Sequence, residues 1–329
     1  NCPYAMKTSS CRAALVALLP LLAAACTSLK AVDKPAEFTP PPAHTALWDA
    51  IDDAAPDEWH ALLNDGPTAL DWRLRAIDSA VDSIDLQTFI WDLDGSGELI
   101  RQHLLEAAGR GVFVRVLVDD SFILDADQAL LDIDRHDSIE LRVFNPYKRR
   151  SSSAGLRQIL NLGDFHRLDH RMHNKVMVVD NRVALVGGRN LADHYFGYDP
   201  ADNFRDLEVI AGGAIVQDLA AGFDAYWNDP WAFMLDAVME QRSGPGVPEP
   251  ADLRPVPDTA HVEQTSTQRL QEWLALANNA HAGRASLLLD EPPDEDPDYA
   301  GEAPVQVGER LIEAIDAARS DVWLVSAYL

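Results

Sequence analysis

Apolar positions along the body of the chain follow two alternating rhythms. Leu74, Ile77, Ala80 and Val81 recur at helical spacing, and the run Ile84 to Trp91 (IDLQTFIW) after them reads as a strand. A helix over Glu98 to Gly109 leads into a strand over Val112 to Asp119 (VFVRVLVD). A short helix then precedes a strand over Ile139 to Phe144. Further on, the pattern predicts strand pairs within 174–186, a strand at 206–211 and a helix at 213–228. Such a rhythm packs helices on a mostly parallel or mixed sheet, so the expected class is α/β in layers.

The rhythm breaks in three places. From Met6 the text reads MKTSSCRAALVALLPLLAAAC, a cationic start and a short apolar stretch ending in small residues. That is the form of a secretory signal, too short to span a bilayer. Leu22-Ala23-Ala24-Ala25 before Cys26 resembles a bacterial lipobox, which implies a lipidated Cys26; ordinary cleavage after A-x-A is the alternative. Ala31 to Thr45 is Pro-rich, as befits a tether. Gln241 to His261 holds five prolines and reads as a connector, and Glu291 to Tyr299 reads as an acidic, solvated loop.

The chain also resembles itself. Residues 74–91 align without gaps to residues 312–329, with five of 18 positions identical, including Ala76-Ile77-Asp78 and Ala314-Ile315-Asp316. Both read as a helix leading into a strand. The expectation is that a second copy of the domain begins near residue 300 and that the sequence is a fragment. The expected divisions are a leader and signal over 1–26, a tether over 27–47, a first half over 48–240, a connector over 241–262 and the start of a second half over 263–329.

Charge narrows the function. The chain has 27 Lys+Arg against 53 Asp+Glu, a net −26, which argues against a nucleic-acid coat. Yet residues 142–175 carry eight Lys/Arg and two acids, a local +6. All three cysteines lie at or before Cys26, so the body has no disulfide or thiol chemistry.

The chemistry concentrates in RMHNKVMVVDNRVALVGGRNLADHYFGY, Arg171 to Tyr198. Residues i and i+2 of a strand share a face, so His173 and Lys175 can converge on one ligand while Val176 and Val178 face the core. Asp180-Asn181 reads as a turn and Arg182 to Val186 as the return arm. Gly187-Gly188 would let backbone amides approach a phosphate. Asn190 would stand at a helix N-cap with its amide free to donate. An imidazole, an ammonium and a set of amides suit a phosphodiester. His166, His170 and His173 could suggest a metal cluster, but a basic loop of this kind is more often an anion site. Asp119-Asp120 is read as a turn cap rather than a catalytic pair.

His173-x-Lys175-x4-Asp180-x6-Gly187-Gly188-x-Asn190 resembles the phospholipase D superfamily signature. The segments 110–120, 139–147, 172–180, 186–197 and 204–209 look like the bacterial cardiolipin synthase branch, especially its lipoprotein-like members. The resemblance implies a phospholipase D-like layered fold with a central mixed sheet flanked by helices, one complete half plus the start of a second. It implies that His173 is the nucleophile forming a phosphohistidine, that Lys175 and Asn190 bind phosphate with Gly187 and Gly188, and that no metal or cofactor is needed. Asp180, the motif's own carboxylate, joins the catalytic set, more as a structural hydrogen-bonder than a proton carrier. Asp206 resembles the acid that orients the histidine, with Glu208 on the same strand face. A second motif, needed for the general acid, is absent from these 329 residues.

The expected function is a phosphatidyltransferase or phospholipase acting on glycerophospholipids, held in the bacterial envelope by the lipid on Cys26 and facing the periplasm. Its partners would be phospholipid, the membrane and the second catalytic half, with no nucleic acid. A nuclease of the same superfamily and a non-catalytic envelope lipoprotein are the alternatives.

Overall fold

The computed structural model describes residues 33–121, 127–147, 161, 168, 170–239, 265–292 and 307–323. The signal over 1–26 with Cys26, His166, the connector over 241–262, most of the acidic loop over 291–299 and most of the basic stretch over 148–169 lie outside the described residues.

In chain order the elements are α1 (Ala46–Ala54), β1 (Trp59–Leu63), α2 (Gly66–Ser79), β2 (Ser83–Thr88), α3 (Gly95–Gly109), β3 (Phe113–Asp119), α4 (Asp127–Asp134), β4 (Ile139–Phe144), β5 (Val176–Val179), β6 (Val183–Gly187), α5 (Asp193–Phe196), β7 (Glu208–Gly212), α6 (Ala214–Asn228), β8 (Ala232–Met234), α7 (Leu235–Met239), α8 (Ser266–Asn279), β9 (His281–Ala282) and α9 (Val307–Ala317). The strands form one open mixed sheet in the order β8-β4-β3-β2-β5-β6-β7-β1-β9. Only β2–β3 and β3–β4 pair in parallel; the other neighbours run antiparallel.

Both faces of the sheet are covered, and strand parity divides them. Ile84, Leu86, Val114, Val116, Met177 and Val179 pack with Leu70, Leu74 and Ile77 of α2 and Ile100 and Leu104 of α3. On the other face Val176, Val178 and Ala184 pack with Ile215, Val216 and Leu219 of α6. Polar residues in the central strands find partners on the α6 side. Arg115 of β3 bonds Asp85 of β2 at 2.7 Å and Asp224 of α6 at 2.8 Å, all within the core. A buried charge is tolerated when it is paired and hydrogen-bonded.

The N-terminal arm completes this network. Lys34 Nζ donates to the carbonyls of Asp229 and Ala232 at 2.6 and 2.8 Å. The Glu37 carboxylate accepts from Arg142 at 2.8 Å, and Thr39 Oγ1 accepts from Arg115 at 2.8 Å. The Pro-rich segment expected over 27–47 is therefore laid against the body from Lys34 onward, because the buried arginines draw it in. Packing also continues beyond the boundary expected at 263. Thr265 and Gln268 form a capping box that starts α8. Trp273 of α8 lies edge-on to Trp48 and Trp72, with ring centroids 5.3 and 5.1 Å away, and donates to Ser79 Oγ at 2.9 Å. β9 then adds to the edge of β1.

The internal match shows a contrast. Leu74 and Ile77 of α2 are fully buried, whereas their counterparts Ile312 and Ile315 on α9 are 61% and 45% exposed. No described residue of α9 is buried. Where the matched strand would begin, Val322 and Trp323 are exposed and outside any strand, and 324–329 lie outside the described residues.

Candidate active site

The loop entering β5 carries His173, and two strand ends fasten it. Asp119 at the end of β3 accepts from Met172 N at 3.0 Å, from Arg171 Nη1 at 3.2 Å and from Ser121 N at 2.8 Å. Burial raises the Asp119 carboxyl, with Arg171 opposing. Asn145, just past β4 and at φ 48°, donates from Nδ2 to His170 O at 2.6 Å. Asp119 thus caps its own turn and also holds the loop that carries His173.

His173 and Lys175 line one cleft of about 190 Å³. His173 stands exposed on its rim, its ring edge-on to Phe89 with centroids 4.7 Å apart. Lys175 is 8% exposed; its Nζ donates to His173 O at 2.7 Å and sits 5.4 Å from the Phe89 ring centre. Partial burial, then the Lys175 ammonium, hold the His173 imidazole below its ordinary value, while Asp206 opposes. Burial lowers Lys175 to about 8, with Asp206 and Asp119 opposing. A histidine kept neutral is a competent nucleophile, and a desolvated lysine interacts strongly with an anion.

Asp206 is the carboxylate whose field reaches both groups. Arg189, itself buried, donates to the Asp206 carbonyl and to Tyr195 O at 2.6 Å, which steadies the approach to β7. Asp206 lies two residues before β7 rather than on the strand expected at 206–211, whereas Glu208, the first residue of β7, is ion-paired with Arg73 inside the core. The two acids thereby differ: the charge of Asp206 reaches His173 and Lys175, and Glu208 is held in the core by Arg73.

Three expectations change. Asp180 stands at the far end of β5 from His173 and Lys175, and its carboxylate is fully engaged there. It accepts from Trp48 Nε1 at 2.7 Å, Asp82 N at 2.8 Å, Ser83 N at 2.9 Å and Val81 N at 3.0 Å. It clamps α1 and the α2–β2 turn and stands apart from the cleft, so it is not part of the catalytic set. Gly187 and Gly188 do not offer their amides to a ligand. Gly187 N donates to Lys175 O at 3.4 Å and Gly188 N to Leu207 O at 3.1 Å, because Gly187 ends β6 and Gly188 follows it alongside the approach to β7. They are glycines for space: a Cβ on Gly187 would lie 2.3 Å from Leu207 O, and one on Gly188 would lie 2.1 Å from Asp206 Oδ1. Asn190 is not a helix N-cap either, since α5 starts after Ala192. Its Oδ1 accepts from Ile90 N at 3.0 Å, which turns the amide nitrogen into the group able to donate.

Among the described residues no group of His, Cys, Asp and Glu gathers to hold a metal ion, and no helix is long and apolar enough to cross a membrane.

A family model described as "Cardiolipin synthase, PLD-like domain" matches residues 74–227. That stretch is a phospholipase D-like domain of the cardiolipin synthase type. The chain is 40% identical over 200 residues to cardiolipin synthase C of Escherichia coli, covering 61% of this chain and 41% of that protein. It is 33% identical over 275 residues to an uncharacterized protein of Helicobacter pylori, covering 81% of this chain and 53% of that one. Thus the chain spans about half the length of the curated relatives it matches. Among solved structures, phosphatidylserine synthase of Haemophilus influenzae aligns at 11% identity over 70% of this chain and 47% of that one, with a TM-score of 0.42.

Sequence reasoning missed two neighbours of His173 and Lys175: Gln87, which lines the same cleft, and Phe89, which packs against both. A signal for Gln87 was present: Ser83, Asp85 and Gln87 alternate with apolar neighbours in a strand that is buried throughout. A polar residue on a covered face demands a partner.

Proposed function

We propose that this chain carries the nucleophilic half of a phosphatidyltransferase acting on glycerophospholipid phosphodiesters. The observation that supports it is one cleft holding a neutral-leaning His173, a desolvated Lys175 and an apolar wall, with the Asp206 field on both polar groups.

His173 attacks phosphorus; a nitrogen–phosphorus bond forms as the phosphorus–oxygen bond to the departing alcohol breaks. The alkoxide takes its proton from a general acid, assigned to the histidine of a second H-x-K-x4-D motif outside these residues. An acceptor alcohol then attacks the phosphohistidine, gives its proton to that same group and frees His173. Water as acceptor gives hydrolysis. Lys175 and the Asn190 amide neutralise the non-bridging oxygens, and Asp206 favours the imidazolium-like charge that develops on His173.

Membrane access is assigned to a lipid on Cys26, in the periplasmic face of the envelope and preferentially at the outer membrane. Among the described residues, Lys34 is the first side chain of the arm that docks on the body. Eight residue steps, at most ~30 Å of extended chain, separate it from Cys26. Cys26→Ser should release the protein from membranes.

The main test offers full-length protein labelled phosphatidylglycerol and labelled DNA, in excess chelator. Lipid turnover that persists with chelator and disappears in His173→Ala supports the assignment. DNA cleavage without lipid turnover favours the nuclease alternative. Equal turnover by His173→Ala removes the nucleophile, and inactivity of both proteins points to a scaffolding lipoprotein.

A further inference from the structure

The cleft contains two buried amide donors that neither the fold nor the reaction above uses among the described residues, Gln87 Nε2 and Asn174 Nδ2, and Gln87 is the more deeply buried of the two residues. Gln87 is 1% exposed, and its Nε2 has no hydrogen-bond partner among the described residues. Folded proteins rarely leave a buried amide donor unmade, because the lost water is not replaced. Arg73 Nε and Glu208 Oε2 belong to an ion pair inside the core, and the Asn174 side chain lies against Tyr226. Gln87 has no such explanation.

Its position is set by the sheet. Gln87 of β2 stands opposite Val176 of β5, so its side chain emerges on the same face, one residue from Lys175. It lines the same cleft as His173 and Lys175, and the opposite wall is apolar, built by Leu219 and Phe223 of α6 and by Leu287 from the segment after β9. The cleft therefore has a polar floor and an apolar wall beside the nucleophile.

We propose that Gln87 is a substrate-binding residue, donating from Nε2 to an oxygen of the phospholipid seated in this cleft. The inference rests on the phosphatidyltransferase reading. A phospholipid supplies what the cleft lacks: an oxygen acceptor for the floor and a glycerol and acyl portion for the wall.

The test uses full-length protein and monomeric dihexanoyl phosphatidylglycerol. Gln87→Met keeps the length of the side chain and removes the donor; Gln87→Glu replaces the donor with a negative acceptor. The expected result is a roughly tenfold rise in KM for Gln87→Met with kcat within about twofold, and a larger rise for Gln87→Glu, which repels the phosphodiester. The melting temperature of Gln87→Met should not fall, since an unmade buried donor is removed. An unchanged KM in Gln87→Met, or a lowered melting temperature showing that the amide serves the fold, would overturn the inference. His173→Ala separates the two levels. If it is inactive while Gln87→Met matches the parent, only the Gln87 role fails. If it remains active, the phosphatidyltransferase reading fails first.

Discussion

The two ends of β5 do opposite work with residues of one motif. At the entry, His173 and Lys175 leave the core and border a cleft. At the exit, Asp180 turns inward at φ 53° and fills its carboxylate with four N–H donors. The first end keeps polar groups under-satisfied, with both bases lowered by burial. The second satisfies them completely. Four residues of buried strand make the link rigid. A motif's spacing can thus join a cleft-bordering end to an anchor, so its residues need not meet at one place.

Mutations at the two ends should therefore fail in different assays. The largest effect belongs to His173→Ala, with turnover falling about 10⁴-fold or more, ~5.5 kcal/mol of barrier, while urea unfolding stays close to the parent. A matching loss of stability would erase the contrast. Asp180→Ala should do the reverse. It strands several buried donors and costs about 3–5 kcal/mol in urea unfolding, with kcat of the still-folded fraction near normal. If kcat per folded molecule collapses instead, Asp180 takes part in the chemistry.

Gly188→Ala sharpens the reactive end, since its Cβ would overlap the Asp206 carboxylate. Displacing that group should lower kcat/KM about 10²-fold with a modest change in melting temperature. The smallest effect is in the pH profile. His173 must be neutral to attack, and its lowered pKa puts the acid limb of kcat/KM below its ordinary value of 6.5. Lys175 must be charged to bind phosphate, so activity falls as pH rises through about 8. Lys175→Arg should move that basic limb above pH 9, since a guanidinium stays charged; a limb left in place would belong to another group.

Much of this was legible beforehand. The strand over 139–144 and the helix over 213–228 stand within a residue of expectation, because each is set by local periodicity. His173 and Lys175 were legible for the same reason, being two residues apart at one strand edge. That Asp180 is a structural hydrogen-bonder was legible too, but its partners were not, since Trp48 is 132 residues away. Nor was the spatial role of Gly187 and Gly188, which depends on β7 arriving beside them. The docking of α8 through Trp273 and of the arm through Glu37 and Thr39 likewise rests on partners far along the chain.

The repeat marks the same boundary. Ala76-Ile77-Asp78 and Ala314-Ile315-Asp316 carry one pattern, and both stretches form helix. The sequence by itself determined the alternation of elements, the pairing of His173 with Lys175 and the helical form of both copies, because these follow from contacts a few residues apart. Only the tertiary structure decided which of the two matched helices is buried, which acid's charge reaches His173 and Lys175 and which end of β5 borders the cleft. Burial and electrostatic environment are properties of what packs alongside, and that is settled by contacts across the whole chain.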